Sequence, residues 1–381
     1  MFDATRALET IRRLDFPRFC GSEGEARAMR LLADEVTALG LQPRYHDFRD
    51  WWVEPADACL LVKGETIAVE PAVPLPLITA FEWMGGAGIE VQIRGKLARP
   101  DQCEPAPGRD SIAVLDSFDP SAPTVPRASA QLLLFAHTPE FIPYALATET
   151  FVPSAYVQPQ EASAVLAALG QRAALRWKAR RVQRTFRNLT AQIPGRTLPH
   201  EQVIIGAHLD SFPGTVGASD DAAGCAILLE AARWFSAHPP DRTVRLLWFT
   251  GEELDRRGSR HFVADHNLEP TAAILFINVD SGFERGAGPP YIRVCPEPLA
   301  AWAKQALDVE GLEMHLGPTG SADVTAFQER AIPTFWVCGP SLQPAHLPTD
   351  RPETIDPERL YLIGSLSIQA ATLAAQASAQ F

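Results

Sequence analysis

The residues able to do chemistry gather in the second half of the chain. GAHLDSFPGTVGASDDAAG, from Gly206 to Gly224, holds His208, Asp210, Asp220 and Asp221 between the apolar runs VIIG and CAILLEAA. Such groups are costly to bury unless something neutralises them. VRLLWFTG leads into Glu252 and Glu253, ILFINV ends in Asp280, and PTFWVCGP precedes a loop with His346 and Asp350. Singly, each has an ordinary explanation: a satisfied structural His, a carboxylate pair capping a helix, a solvated Glu pair, a turn cap, a loop residue. One function uses the whole set. A pair of divalent cations roughly 3.5–4 Å apart can clamp a carbonyl and activate a water. That centre needs one carboxylate shared by both ions, plus about one His and one further carboxylate for each. Two His and three carboxylates meet the count. The set has no Cys, which favours zinc first, then manganese or cobalt. A carboxylate left over beside the ions would be the general base.

The elements that must position these groups are legible around them. From about residue 181, apolar strands (RNLTAQI, QVIIGAH, VRLLWFT, ILFINVD, YIRVC, IPTFWVC) alternate with helical stretches (AAGCAILLEAARWFSAH, SRHFVADH, EPLAAWAKQALDV, a turn at DVTAFQER, and a last helix from about Pro357). Near-continuous apolar strands that alternate with helices imply an α/β fold, a mixed and mostly parallel sheet sandwiched by helices. Open sheets of this kind build sites beyond the carboxyl ends of their strands, which is where the acids and imidazoles fall. Residues 1–48 read as helix, turn, helix, strand. Ser22 is placed to cap the second helix, Ala26, Met29, Leu32, Val36 and Leu39 form its apolar stripe, and Gly40 is placed to end it. Between them, residues 49–180 are Pro-rich with short β-like runs (CLLV, IEVQI, SIAVL, QLLLF) and one helical run, QEASAVLAAL. They read as an inserted β-rich domain interrupting a catalytic domain of 1–48 and 181–381.

Composition narrows the partners. The 381 residues are 46% hydrophobic and carry a formal net charge of −12. Acidity of that size repels phosphate backbones, so nucleic acid is not an expected partner. No uninterrupted apolar run reaches membrane-spanning length, so no membrane partner is expected. MFDATRALETIRRLDF reads as an amphipathic helix and not a signal peptide. The six cysteines are scattered without a CxxC, as expected of reduced thiols, and the expected compartment is cytoplasmic.

The order of GAHLDS, GASDDAAG, FTGEELDRRGS, FINVDSG and HLPTDRPETID resembles the co-catalytic di-zinc exopeptidases, a family that includes bacterial leucyl-type aminopeptidases, with glutamate carboxypeptidase II and the transferrin receptor as relatives. The resemblance covers roughly 1–48 and 181–381. It implies the zinc exopeptidase fold and a metallo-aminopeptidase acting on a peptide substrate. It implies that His208 and Asp280 hold one metal, that Glu253 and His346 hold the other, and that Asp220 bridges them. Glu252 would be the general base and Asp210 would orient the His208 imidazole. In this family the peptide after the bridging Asp is often cis. The inserted block resembles a protease-associated domain, either a stabilising β domain or a partial lid restricting the cleft to chain ends. Ala345 stands where several relatives have a Tyr that helps stabilise the oxyanion, so that role falls to the metals or another donor. Asp323 matches a position often polar in relatives and could equally cap a helix. A carboxypeptidase of the glutamate carboxypeptidase type would need basic residues at the cleft, with Arg256, Arg257 and Arg285 as candidates. The same fold would also serve a glutaminyl cyclase-like acyltransferase or a non-catalytic binding protein.

Overall fold

The computed structural model describes residues 2–72, 88–103, 111–115, 130–133, 153–212, 215–307, 311–340 and 349–379. The chain opens with helices α1 (Ala4–Arg13) and α2 (Glu23–Ala38). Asp3 caps α1 by accepting the Arg6 N–H at 3.0 Å, and Ser22 caps α2 by accepting that of Glu25 at 3.1 Å. The Glu25 side chain reaches back to the Gly21 N–H at 2.7 Å, one residue before the cap, and fixes the entry to the helix. Gly40, at φ +76°, follows the C-terminus in the left-handed conformation that glycine adopts without strain.

Strands β1 (Arg44–Val62), β2 (Glu65–Ala72), β3 (Gly88–Ala98), β4 (Ser111–Leu115), β5 (Ala130–Leu133) and β6 (Ser154–Val157) follow, then helix α3 (Ala162–Ala167) and the long strand β7 (Arg172–Ile193). Next come β8 (Leu198–His208), α4 (Ala223–Ala237), β9 (Arg242–Phe249), α5 (Arg257–Asp265), β10 (Ala273–Val279), β11 (Tyr291–Cys295), α6 (Leu299–Ala306), β12 (Glu313–Leu316), α7 (Val324–Gln328), β13 (Thr334–Cys338) and α8 (Pro357–Ala374). Contacts divide the chain into two compact units, Met1–Phe48 with Phe186–Phe381, and Arg49–Thr185. Both divisions fall inside strands, β1 and β7, where no turn residue marks a boundary.

In the Arg49–Thr185 unit the strand order is β1-β2-β6-β5-β4-β3-β7. β3, β4, β5 and β6 pair in parallel, and antiparallel partners flank them. Leu60, Leu97, Ile112, Leu132, Leu175 and Trp177 fill its core.

The other unit orders its strands β7-β9-β8-β10-β13-β11-β12. The centre, β9-β8-β10-β13, is parallel, while β7 and β11 pair antiparallel to β9 and β13. Val203, Ile204 and Ile205 on β8 are fully buried, each contributing roughly 1.5–3 kcal/mol of apolar burial. Alternation decides where each points. Val203, Ile205 and Ala207 join the core with α1, α2, α4, α6 and α8, while Ile204 packs on the other face with Phe262 of α5 and Phe327 of α7. Helices therefore pack on both faces, and the strand ends open toward a site. β12, with just Met314 and His315 half-buried, is too short and polar to stand out in the sequence.

Candidate active site

β8 ends at His208, β10 ends one residue before Asp280, and β9 runs into the turn that carries Glu252 and Glu253. The three parallel strands are in register, with Gly206 opposite both Leu247 and Asn278. Their carboxyl ends therefore arrive together.

His208 is buried. Its Nδ1 lies 2.9 Å from the Asp210 backbone carbonyl. A carbonyl only accepts, so Nδ1 carries the proton and Nε2 presents a lone pair. That Nε2 lies 2.9 Å from Asp220 Oδ1 and 3.9 Å from Asp280 Oδ1. Ligand atoms of His208, Asp220 and Asp280 all lie within 4.8 Å of one another. Acceptors this close need a proton or a cation between them. Burial works against a charged His208, but hydrogen bonding to Asp210 and Asp220 outweighs it, and its pKa rises well above the usual imidazole value. Asp280 is pushed up to about 7 by burial, with Asp220, Asp323 and Glu253 adding repulsion that His208 partly offsets. Arg18, a fully buried guanidinium close by, is committed to backbone carbonyls: Leu14, Leu209 and Gly217 at 2.9 Å, and Val216. An imidazole lone pair and two carboxylate oxygens at this spacing fit a divalent cation such as zinc.

The remaining acids of 206–224 hold the frame. Asp221 Oδ1 accepts the Gly224 N–H at 2.8 Å and Oδ2 accepts that of His208 at 3.2 Å, which ties the start of α4 to the end of β8. The Asp220–Asp221 peptide is cis. Asp350 accepts the N–H groups of Ser219 at 2.8 Å and Asp220 at 3.1 Å, so a carboxylate from the far end of the chain sets the backbone of Asp220.

Asp210 faces both His208 and the neighbouring turn. The carboxylate stands 3.7 Å from Nδ1 and adds attraction, but the hydrogen bond goes to its own carbonyl. Fully buried, the carboxylate instead accepts the N–H groups of Glu252 at 3.1 Å and Glu253 at 3.3 Å. An Asp two residues past a strand can reach the neighbouring strand's turn, where it makes two charge-assisted bonds. Both glutamates are half-buried. Burial raises the Glu252 carboxyl well above the usual range; His208 opposes that rise, while Asp323 and Glu253 add to it. Asn188 braces the same turn. Its Oδ1 accepts the Thr250 N–H at 3.0 Å, and its Nδ2 donates to the Gly258 carbonyl at 2.9 Å.

Asp323 precedes α7 but makes no capping hydrogen bond. It is buried, its Oδ1 has no partner among the described residues, and it is pushed up to about 6 by burial, against the pull of His208. It thus belongs with the acid cluster and does not act as a helix cap. His346 and Ala345 lie outside the described residues. Sequence reasoning passed over Arg18 and Asn188, which sit in FPRFCG and RNLT without periodic context, and gave Asp350 no task.

The model of Peptidase family M28 matches residues 188–371. The chain is 24% identical to aminopeptidase YwaD of Bacillus subtilis over 401 aligned positions, covering 96% of this chain and 83% of that protein. Mouse carboxypeptidase Q is 34% identical over 97 residues, which span 25% of this chain and 21% of that protein. Among solved structures, BSAP, a zinc aminopeptidase from Bacillus subtilis, superposes with a TM-score of 0.71 at 21% identity, covering 100% of this chain and 97% of that one.

Proposed function

We propose that this chain, whose residues 188–371 belong to Peptidase family M28, is a metal-dependent aminopeptidase that hydrolyses the N-terminal peptide bond of its substrate. The observation that carries the reading is the convergence of His208 Nε2 with Asp220 and Asp280 oxygens beside the Glu252–Glu253 turn. His208 and Asp280 would hold one zinc ion, Glu253 and His346 a second, and Asp220 would serve both. Zinc, when bound, supplies the positive charge that polarises the scissile carbonyl and acidifies water. Glu252 takes the proton of the attacking water and returns it to the leaving amine. Asp210 holds Glu252 and Glu253 at their places, and Asp350 and Asp221 do the same for Asp220 and His208. The acidic site suits a protonated N-terminal amine.

A carboxypeptidase reading has weaker support. Arg256 donates to Asp255 at 2.6 Å, to Thr325 Oγ1 at 3.1 Å and to the Gly320 carbonyl, Arg257 is buried and donates to the Leu254 carbonyl at 3.3 Å, and Arg285 is exposed. Arg256 and Arg257 are thus committed within the fold, which leaves Arg285 as the one open guanidinium of the three.

The test is a pair of variants assayed on aminoacyl-nitroanilides with metal content measured alongside. Glu252→Gln should keep its zinc and lose roughly 10²–10⁴ in kcat, the usual worth of a positioned acid–base group, with KM little changed. Glu253→Gln should lose zinc and recover in part when zinc is added. Near-normal turnover of Glu252→Gln would overturn the mechanism, and zinc loss from Glu252→Gln with full zinc in Glu253→Gln would reverse the two roles.

A further inference from the structure

A cavity of about 160 Å³ opens elsewhere in the same unit, on the face of β7 and β9 that α5 covers. Its lining includes Arg44, Arg245, Thr190, Gln192 and His266, and no carboxylate. Gln192 and Arg245 are register partners on adjacent antiparallel strands, so both side chains project into the same space. Turned so that its oxygen faces Arg245, the Gln192 amide accepts from Nε and Nη2 of that guanidinium. Phe262 lies under it, 5.6 Å from Cζ to the ring centroid. Neither Arg44 nor Arg245 forms an ion pair among the described residues. Two like charges thus share one cavity, and the Thr190 hydroxyl, itself shielded from water, has no partner there. Burial, and after it Arg44, pushes Arg245 down to about 10, which marks a cation held without a counter-charge.

Both histidines beside the cavity have assigned protons. Asn188 Nδ2 donates to His46 Nδ1 at 3.1 Å, so the His46 proton sits on Nε2 and goes to Asp265 at 2.9 Å. His266 Nδ1 donates to the Phe262 carbonyl at 2.9 Å. Asp265 is half-exposed and faces His46, so it does not neutralise the arginines. A half-buried guanidinium without a counter-charge is expensive. A second guanidinium and a hydroxyl without a protein partner in the same space make a cationic lining, free of carboxylates, of the kind that binds phosphate or carboxylate oxygens.

We propose that this cavity is an oxyanion-binding site, separate from the acid cluster at the ends of β8, β9 and β10, that takes the phosphate or carboxylate group of a small molecule. Calorimetric titration of the zinc-loaded full chain tests it, with the catalytic centre blocked by an amino-acid hydroxamate so that metal-bound anions do not contribute. Inorganic phosphate is one arm and citrate the other, and the arm that binds names the anion. The expected result is one anion per chain in the wild type, bound roughly 10- to 100-fold more weakly in Arg245→Gln and in Arg44→Gln, the fold-change for losing a charge-assisted bond. Arg44 is exposed, so that variant tests the site even if Arg245→Gln folds poorly. Absence of binding in both arms, or binding unchanged in both variants, would overturn the proposal.

Discussion

Asp210→Asn separates a residue that positions the catalytic turn from one that tunes the imidazole. The Asp210 carboxylate is fully buried and accepts two backbone N–H groups, those of Glu252 at 3.1 Å and Glu253 at 3.3 Å. Asparagine keeps one accepting oxygen and sets an NH₂ against the second N–H. One charge-assisted bond is lost, the other loses its charge, and a buried amide is left unpaired. At about 1.5–3 kcal/mol for a bond to a charged group, the turn is loosened by a factor of roughly 10–100. Glu252 takes its direction from that turn, so kcat on an aminoacyl-nitroanilide should fall by about the same factor. The zinc held by His208, Asp220 and Asp280 should be retained, because those residues do not depend on the turn, while the ion assigned to Glu253 should be weakened with it. If the carboxylate acted mainly through His208, 3.7 Å from Nδ1, the outcome would differ. Zinc content would then fall and kcat per bound zinc would hold. Wild-type kcat with full zinc and an unchanged Tm would refute the positioning role altogether.

Two further outcomes follow from buried groups. An ideal Cβ on Gly224 would stand 2.4 Å from both Asp221 carboxylate oxygens and from the Val279 carbonyl. Gly224→Ala should therefore destabilise by about 1–3 kcal/mol despite its better helix propensity, and should also weaken zinc binding because Asp221 holds the His208 N–H; a Tm equal to or above wild type would contradict the packing. Glu25 is pushed up to about 8, chiefly by burial and then by Asp210. Its folded pKa lies above the unfolded value of 4.5, so the folded protein keeps a proton that the unfolded chain has released, and stability contributed by this group is lost as pH rises from about 4.5 to 8. Glu25→Gln is neutral throughout, so its urea midpoint relative to wild type should rise between pH 5 and pH 8; a difference independent of pH would dismiss the shift.

What the sequence disclosed, and what it hid, divides along one physical line. Groups that act from the ends of strands were visible, because each follows an apolar run and open α/β sheets place ligands there. His208 after QVIIGA, Glu252 and Glu253 after VRLLWFTG, and Asp280 after ILFINV all fell this way. Helix signals worked for the same reason, being local: Ser22, Gly40 and the start at Pro357 sit where capping chemistry puts them. Hidden were the groups that act across long sequence separations. Arg18 reaches residues 209, 216 and 217, Asn188 reaches 250 and 258, and Asp350 reaches 219 and 220. None has a neighbour in sequence that reveals its partner.

The same division explains why the sequence points to only one of Asp210's partners. Its spacing of two from His208 suggests an imidazole support, and sequence can weigh only the groups near it. Its hydrogen bonds go to a turn some forty residues away, |i−j| of 42 and 43. A buried carboxylate gains most from donors that are themselves unpaired and cannot reach water, and backbone N–H groups at the end of a strand are such donors. Asp221 and Asp350 obey the rule as well, each spending both oxygens on main-chain N–H groups. Asp220 and Asp280 turn oxygens toward His208 Nε2. Among these buried or partly buried acids, commitment to the backbone thus sorts those that hold the frame from those left to bind a cation. The sorting makes opposite demands on substitution. Asparagine at a frame position removes half of a paired interaction, whereas at Asp220 or Asp280 it removes charge from a cluster that already holds too much. Asp280→Asn should therefore leave the metal-free protein at least as stable as wild type while weakening zinc binding, a combination that Asp221→Asn should not reproduce. Paired melts with and without a chelator read both quantities, and a metal-free Asp280→Asn clearly less stable than wild type would refute the distinction.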